Sequence, residues 1–390
     1  MSPSWSSPVA GSAAPGDVVV LGGGVVGTAC AWRLAERGHR VVLVDPEPGG
    51  GSSRAAAGML APVSELHHGE RGLLDLCLLA AAGFARYAAE VTAASGLPAG
   101  YRGCGTLVVA LDAGDRARLA DVRRAQERLG LDVEALTGRQ CRRLEPLLDP
   151  AVSGGTLVRG DHQVDPRRLL GALRAAAGRR GVEHVSQRGE VLVEDGRAAG
   201  VRLADGSLRR ADLVVVATGA HAGAHAPVRP VKGQVVRLRM PEGGHLLQRT
   251  VRGVVRDRDV YLVPRADGEL VVGATTEDQG FDERVTAGAV HDLLRDAQAL
   301  VPGTAELELV EVLARSRPGS PDNLPLVGAG RLPGLLLAVG HHRNGVLLSD
   351  VTARAVAALA AGEDVVPEVA ACDPVRFGSR TAAREEVLVR

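Results

Sequence analysis

The chain has 390 residues, room for two domains at about 150 residues each, and 46 basic side chains balance 46 acidic ones. That balance builds in no field to draw nucleic acid or an anionic membrane surface, and no apolar run approaches the ~18 residues of a membrane span. Cys30, Cys77, Cys104, Cys141 and Cys372 are scattered, odd in number and never spaced CxxC, which argues against a disulfide framework or a cysteine zinc site. A soluble, cytoplasmic protein is expected, and a homo-oligomer. Residues 1–16 are rich in Ser, Pro, Ala and Gly without a basic n-region or hydrophobic segment, and read as a disordered lead. Lys232 is the only lysine, a skew read as compositional bias.

Asp17 to Leu21 reads as a buried parallel strand, followed by Gly22-Gly23-Gly24-Val25-Val26-Gly27 and a helix from Thr28 to Arg37. Val41 to Val44 forms a second strand ending at Asp45, which completes a strand–helix–strand unit. Residues 46–62 read as a loop. Helices are expected at 72–95, 115–129 and 165–179, the last with Asp165 as N-cap and Pro166 in its first turn. A strand is expected at 105–111. Short antiparallel strands at 191–193, 200–203 and 207–209 are joined by Asp-Gly turns, and Leu213 to Ala217 is a buried strand. Alternating strands follow at 234–238, 260–264 and 270–274, with one helix at 287–300. A last buried strand at 335–339 runs through a glycine-rich turn into a helix at 348–361.

Chemistry concentrates at a few points. Gly22-x-Gly24-x-x-Gly27 between strand and helix, with Asp45 18 residues beyond Gly27, is the dinucleotide fingerprint. The glycines allow the turn and the approach of a pyrophosphate, while the helix N-terminus offers free amides and partial positive charge. This does not separate a nicotinamide from a flavin. Gly51 to Leu60 is a second small-residue segment with hydroxyls at Ser52 and Ser53, and Val214 to Gly219 is a strand ending in a small-residue turn; either could also be plain loop. Gly340 to Leu347 is expected to open a helix whose N-terminus would stabilise negative charge on a cofactor. His341-His342 and His67-His68 lack metal-ligand spacing, so no metal is assigned. Arg315 and Arg317 suit a fork on a carboxylate or a surface ion pair, and spacing does not choose.

Five segments then match one pattern in order: GGGVVG, SSRAAAGMLAP, PVKGQ, YLVPR with VVGATTED, and RPGSPDNLPLVG with GHHRNGVLL. Over about residues 17–362 the chain resembles the D-amino-acid oxidase-like flavoproteins, and among them the glycine oxidases of bacterial thiamine biosynthesis. The resemblance implies an α/β fold: a discontinuous, Rossmann-type doubly wound FAD-binding domain (17–98, 151–229, 315–365) and a mixed-sheet α+β substrate domain (99–150, 230–314), with a tail at 366–390. It implies FAD held non-covalently by the backbone around Val25 and Val26 and by Asp45, Ser52 and Ser53. Ala57, Gly58 and Met59 would line the flavin, Val191 would flank the adenine side, Gly219 would approach the cofactor, and His341, His342, Asn344, Gly345, Val346 and Leu347 would meet the ring. Arg317 would bind a substrate carboxylate, with Tyr261 and Arg343 beside it. Lys232 falls outside the position where related sarcosine oxidases use lysine to activate oxygen.

The activity so implied is oxidation of glycine or another small amine to an imine, then glyoxylate and ammonia, with oxygen reduced to hydrogen peroxide. A thiazole-forming partner could take the imine, and no side-chain acid or base is expected. The alternatives are a sarcosine or D-amino-acid oxidase or dehydrogenase of the same fold, a nicotinamide dehydrogenase, and a non-catalytic flavin-fold subunit.

Overall fold

In the computed structural model, which describes residues 15–67, 69–240, 244–255 and 258–378, strand Asp17–Leu21 is central to a six-stranded sheet. Its apolar residues are buried on both faces, as a parallel strand requires. It pairs in parallel with Arg40–Val44 on one side and Leu213–Val216 on the other. The sheet continues outward to Glu183–Val185 at one edge, and through Leu335–Val339 to the antiparallel edge strand Leu326–Ala329 at the other. The first crossover, helix Val25–Glu36, leads to one side of Asp17–Leu21, and the chain returns much later on the other. The strand order therefore reverses there, the position at which open α/β sheets carry their ligand crevice.

Val18, Val20, Val41, Leu43 and Val215 face a layer of helices: Val25–Glu36, Arg71–Ser95, Pro166–Arg179 and Ser349–Ala360. Val19, Leu21, Val44, Val214 and Val216 face the other way, onto Ala198, Val201 and Leu203 of a three-stranded antiparallel sheet. That sheet is Gly189–Glu194, Arg197–Leu203 and Leu208–Arg210, close to expectation, and its first turn places Asp195 and Gly196 at positive φ. Arg33 ties three of the helices together. Its guanidinium donates to Glu36, Glu90 and Asp350 and lies 4.2 Å from the Trp32 ring centroid.

The second large sheet has eight strands in the order Glu308–Gly319, Arg229–Arg239, Glu269–Gly273, Arg258–Pro264, Thr250–Val255, Thr106–Ala110, Gly154–Val158 and Glu134–Thr137. Its pairs are antiparallel except Thr250–Val255 with Thr106–Ala110. One face carries Val236, Leu238, Leu262, Leu270 and Val272 against Leu293 and Leu300 of helix Ala287–Leu300. The opposite face carries Val235, Val263, Val271 and Leu313 against Ala55 and Ala57 from the 51–60 segment.

Several sequence expectations change. Gly154–Val158, assigned by sequence to the 151–229 piece, pairs with Thr106–Ala110 and Glu134–Thr137 in the eight-stranded sheet, and Glu308–Gly319 crosses the expected boundary at 315. Strand Thr250–Val255, absent from the sequence reading, pairs with its chain neighbour Arg258–Pro264 and with the distant Thr106–Ala110. The expected loop at 46–62 contains the helical turn Ser52–Ala55 and the short strand Met59–Leu60. The glycine-rich turn does not open the last long helix: a 3-10 turn, His342–Asn344, intervenes, and the helix begins at Ser349. The tail packs back on the fold as far as residue 378, with Val327 N–H donating to the Cys372 carbonyl at 3.0 Å and Arg376 paired with Asp322. Most of the lead (1–14), His68 and residues 379–390 lie outside the described residues.

Helix Arg71–Ser95, with a mean hydropathy of 1.4, is long and apolar enough by composition to cross a membrane, which the search for apolar runs missed. Here Leu73, Leu76, Phe84, Tyr87 and Val91 are buried in the core of the first sheet, and Arg71 pairs with Asp75 on the outer side.

Two stability measurements follow from these features. Asp165 caps Pro166–Arg179 by accepting from the Arg167 and Arg168 amides at 2.9 and 3.2 Å, so Asp165→Ala should cost about 1 kcal/mol in urea denaturation. Burial pushes the Asp161 carboxyl up to about 6, although the Ser64 and Val63 amides donate to it at 2.6 and 3.2 Å. The folded protein then binds this proton more tightly than the unfolded chain, so the stability Asp161 contributes is lost as pH rises through that value. Compared with Asp161→Asn, the parent should lose stability between about pH 4 and about pH 6 in paired denaturation curves.

Candidate cofactor and substrate site

At the strand reversal the chain turns so tightly that side chains are excluded. Gly22 has φ +105°, and a Cβ there would strike the Ala217 carbonyl; one at Gly27 would strike the Gly22 carbonyl. Helix Val25–Glu36 starts immediately after, with Gly24 as its N-cap and no cap from that residue's side chain. Ser53 reaches in from the neighbouring segment, accepting from the Val25 amide at 3.0 Å. Asp45 ends the adjacent strand and accepts from Gly23 N–H at 2.5 Å and Glu47 N–H at 2.7 Å. Thr218, beside Gly22, has a buried hydroxyl without a hydrogen-bond partner. Val191 packs in the same cluster as Val44, just before Asp45, and Gly219 opens a 3-10 turn at φ +57°. A helix N-terminus without its own side-chain cap, glycines that admit close approach and an acid at the next strand end fit a dinucleotide.

The second wall comes from the 51–60 segment. Ser52 begins its helical turn. Gly58 has φ +70°, and a Cβ there would collide with the Val164 carbonyl. Ala57 is buried with Tyr261, Met59 and Ala274 against the inner face of the eight-stranded sheet. Arg265 holds this contact: its guanidinium is buried and donates to the Ala57 carbonyl, to Gln163 Oε1 at 2.9 Å and to the Val164 carbonyl at 3.1 Å. Burial lowers its pKa to about 10. Arg54 points away from the cleft to Glu311, at 3.2 Å.

Arg317 lies on this same inner face. The register pairs it with Val231, and Leu313, two turns of the pleat away, packs with Val235 and Tyr261. Its Nη1 donates to the Thr275 carbonyl at 3.1 Å and the Lys232 carbonyl at 3.5 Å, and among the described residues no carboxylate forms an ion pair with it. Burial pushes the Tyr261 phenol up, opposed by the Arg317 charge nearby. Arg343 differs. Expected beside the substrate, it pairs with Glu70 Oε2 at 2.5 Å, while Glu70 Oε1 accepts from Asn323 at 2.6 Å. Burial alone would raise the Glu70 carboxyl, but Asn323 and Arg343 outweigh it and hold it below its ordinary value. This pair borders a small recess lined also by Pro62, Glu65, His67 and Asn344.

The loop after Leu335–Val339 reaches the helix N-terminus, where a Cβ on Gly345 would touch His341 and Val26. His341 is buried with its Nε2 2.9 Å from Thr352 Oγ1, and burial pushes its pKa down to about 4. His342, at φ +45°, is pushed to about 4 by burial, with Arg343 and Arg317 also opposing its protonation. Both rings are therefore neutral at physiological pH. His342 Nδ1 and Arg343 Nε are buried without partners, and such polar atoms at the cleft suit the polar edge of a ring. Asn344 is buried and continues the turn through its backbone, its N–H bonded to the His341 carbonyl at 2.9 Å. Val346 and Leu347 lie in the core with Val25, and the Val346 carbonyl accepts from Ser349 Oγ at 2.8 Å.

The structure thus brings the glycine turn, Asp45, the 51–60 segment, Tyr261, Arg317 and the 341–347 loop around one cleft. Arg265 and Gln163 were missed, while Thr218 lies in the 214–219 turn that the sequence singled out. Arg265 lies inside YLVPR, but nothing in that run says its side chain turns inward. Gly233 was also passed over, though a glycine interrupting an apolar strand is a signal of close approach.

Residues 17–359 match the family model DAO, FAD dependent oxidoreductase. The chain is 35% identical over 376 residues to the bifunctional protein ThiO/ThiG of Synechocystis sp., covering 94% of this chain and 54% of that protein, so it spans about half of that relative's length. It is 34% identical over 353 residues to the glycine oxidase of Geobacillus kaustophilus, covering 88% of this chain and 92% of the enzyme. The crystal structure of glycine oxidase from that organism superposes with a TM-score of 0.84, covering 93% of this chain and 99% of that one. It is also 30% identical over 413 residues to the hydrogen cyanide synthase subunit HcnC of Pseudomonas aeruginosa, with 94% and 97% covered. With a cradle shaped for a dinucleotide and a family match along almost its whole length, the chain belongs to the DAO family of FAD-dependent oxidoreductases.

Proposed function

We propose that the chain is an oxidase of small amino acids, glycine foremost, yielding the imine and then glyoxylate and ammonia. The observation that carries this reading is Arg317: a guanidinium at the inner sheet face, beside Tyr261, bound to two backbone carbonyls and to no carboxylate among the described residues. An arginine in that state suits a bidentate carboxylate, a group every amino acid carries. The resemblance to glycine oxidase supports glycine.

FAD, when bound, supplies the two-electron acceptor for the Cα–H bond and returns the electrons to oxygen as hydrogen peroxide. Gly22, Gly24, Val25, Val26 and Asp45 would hold its dinucleotide part, and Ala57 to Met59 with residues 341–347 its ring. The chain's own work is placement. Arg317 anchors the carboxylate and so fixes where the α-carbon lies. Tyr261 walls the site with a phenol that stays protonated. The neutral His341 and His342 add no positive charge beside an amine that must arrive deprotonated. No residue is assigned as acid or base. The imine is released to hydrolysis or taken by a thiazole-forming partner, a proposal supported by the fused ThiO/ThiG relative.

Anaerobic glycine should bleach the visible flavin absorbance of the purified holoenzyme, and air should restore it. An unbleached yellow protein would redirect the reading to sarcosine or D-amino acids, and a colourless one that takes up no FAD would end it. Arg317→Ala should lower kcat/KM for glycine by at least about 30-fold, the factor for ~2 kcal/mol. Tyr261→Phe should cost about fivefold, one neutral hydrogen bond. Steady-state oxygen uptake measures both, and unchanged kinetics in Arg317→Ala would remove that residue from the site.

A further inference from the structure

The only lysine of the chain is buried at the back of the site. Strand Arg229–Arg239 runs antiparallel to Glu308–Gly319 with Val231 opposite Arg317, Lys232 opposite Ser316 and Gly233 opposite Arg315. Alternation therefore puts Val231, Gly233 and Val235 on the inner face with Arg317, and Lys232 and Gln234 on the outer face. The Arg317 guanidinium lies across residue 233: a Cβ there would collide with Cζ and both terminal nitrogens. Glycine at 233 is thus the floor on which the guanidinium rests.

Two carbonyls fix that guanidinium, those of Lys232 and Thr275. Thr275 lies beyond strand Glu269–Gly273, where the ladder has ended. What holds this stretch in place is a polar cluster on the outer face. Lys232 and Glu277 exchange backbone hydrogen bonds at 3.0 Å each, and Lys232 Nζ lies 3.6 Å from Glu277 Oε2. Glu277 Oε1 accepts from Thr275 Oγ1 at 2.5 Å and Gln234 Nε2 at 2.8 Å. Gln234 N–H donates to Thr275 Oγ1 at 2.9 Å, and Gln234 Oε1 accepts from Thr286 N–H at 2.9 Å. The Lys232 side chain is 2% exposed, and Glu277 is its ion-pair partner.

We propose that Gly233, Lys232 and Glu277 are positioning residues for Arg317: the glycine gives the guanidinium its floor, and the lysine–glutamate pair pins, from the opposite face of the sheet, the two carbonyls that aim it at the substrate carboxylate. The proposal rests on the reading of Arg317 as carboxylate anchor and goes beyond it by naming what sets the anchor's pose. The site thereby depends on residues that touch neither substrate nor flavin.

The test uses the FAD-loaded enzyme and acetate, the simplest aliphatic carboxylate, whose Kd is read from perturbation of the flavin spectrum, beside KM and kcat for glycine. Lys232→Met and Glu277→Gln should each weaken acetate and raise KM by about tenfold, with kcat within about twofold, and Lys232→Arg should recover part of the loss. Gly233→Ala should behave like Arg317→Ala. In an Arg317→Ala background, Lys232→Met and Glu277→Gln should add nothing to the loss of acetate binding. Additive effects there, or unchanged acetate binding in both Lys232→Met and the isosteric Glu277→Gln, would overturn the proposal while leaving Arg317 as anchor. If Arg317→Ala itself binds acetate as the parent does, it is the carboxylate reading that fails, and the proposal falls with it. Unchanged flavin content and melting temperature in Glu277→Gln would separate lost positioning from lost folding.

Discussion

The buried guanidinium of Arg265 is the contact on which the site's geometry depends. It leaves the strand that carries Tyr261 and binds the carbonyls of Ala57 and Val164 and the amide oxygen of Gln163, with no carboxylate among its hydrogen-bond partners. Burying a cation in this way is costly, as its lowered pKa indicates. What the protein gains is a fixed distance between the sheet that bears Arg317 and the segment that lines the ring. The three acceptors would otherwise be desolvated without a donor, so the fold and the arginine need each other.

Around that contact the molecule divides labour by sheet face. In the parallel sheet one face feeds helices and the other a small antiparallel sheet, and the crevice opens where strand order reverses. In the eight-stranded sheet the outer face is packed on helix Ala287–Leu300, and only the inner face approaches the cofactor cradle. Period-two alternation thus decides which residues of a single strand face the cofactor cradle. Along PVKGQ, Gly233 belongs to the site and its neighbours Lys232 and Gln234 to the support behind it.

Electrostatically the cleft is arranged around arginines of different status. Arg343 is neutralised by Glu70, Arg237 by Glu269, and Arg265 is spent on oxygen acceptors of the backbone and Gln163. Of these four only Arg317 has no side-chain hydrogen-bond partner among the described residues, its Nη1 donating to two backbone carbonyls. Neutral histidines at 341 and 342 leave its charge as the local cation that matters for an incoming carboxylate.

By itself the sequence determined the local units whose causes are local. The glycine turn with Asp45, the Asp165 cap, the Asp-Gly hairpins and helix Ala287–Leu300 were legible because spacing, capping and turn chemistry act within a few residues. Arg317 and Tyr261 were singled out only through motifs shared with a family, since an arginine's partner cannot be read from its neighbours. Tertiary structure alone decided the rest. It placed Gly154–Val158 in the eight-stranded sheet, gave Arg343 to Glu70, turned Arg265 inward, and set Lys232 behind Arg317. Each of these is a pairing between segments distant along the chain, chosen by register and burial, and no pattern within a single segment encodes it.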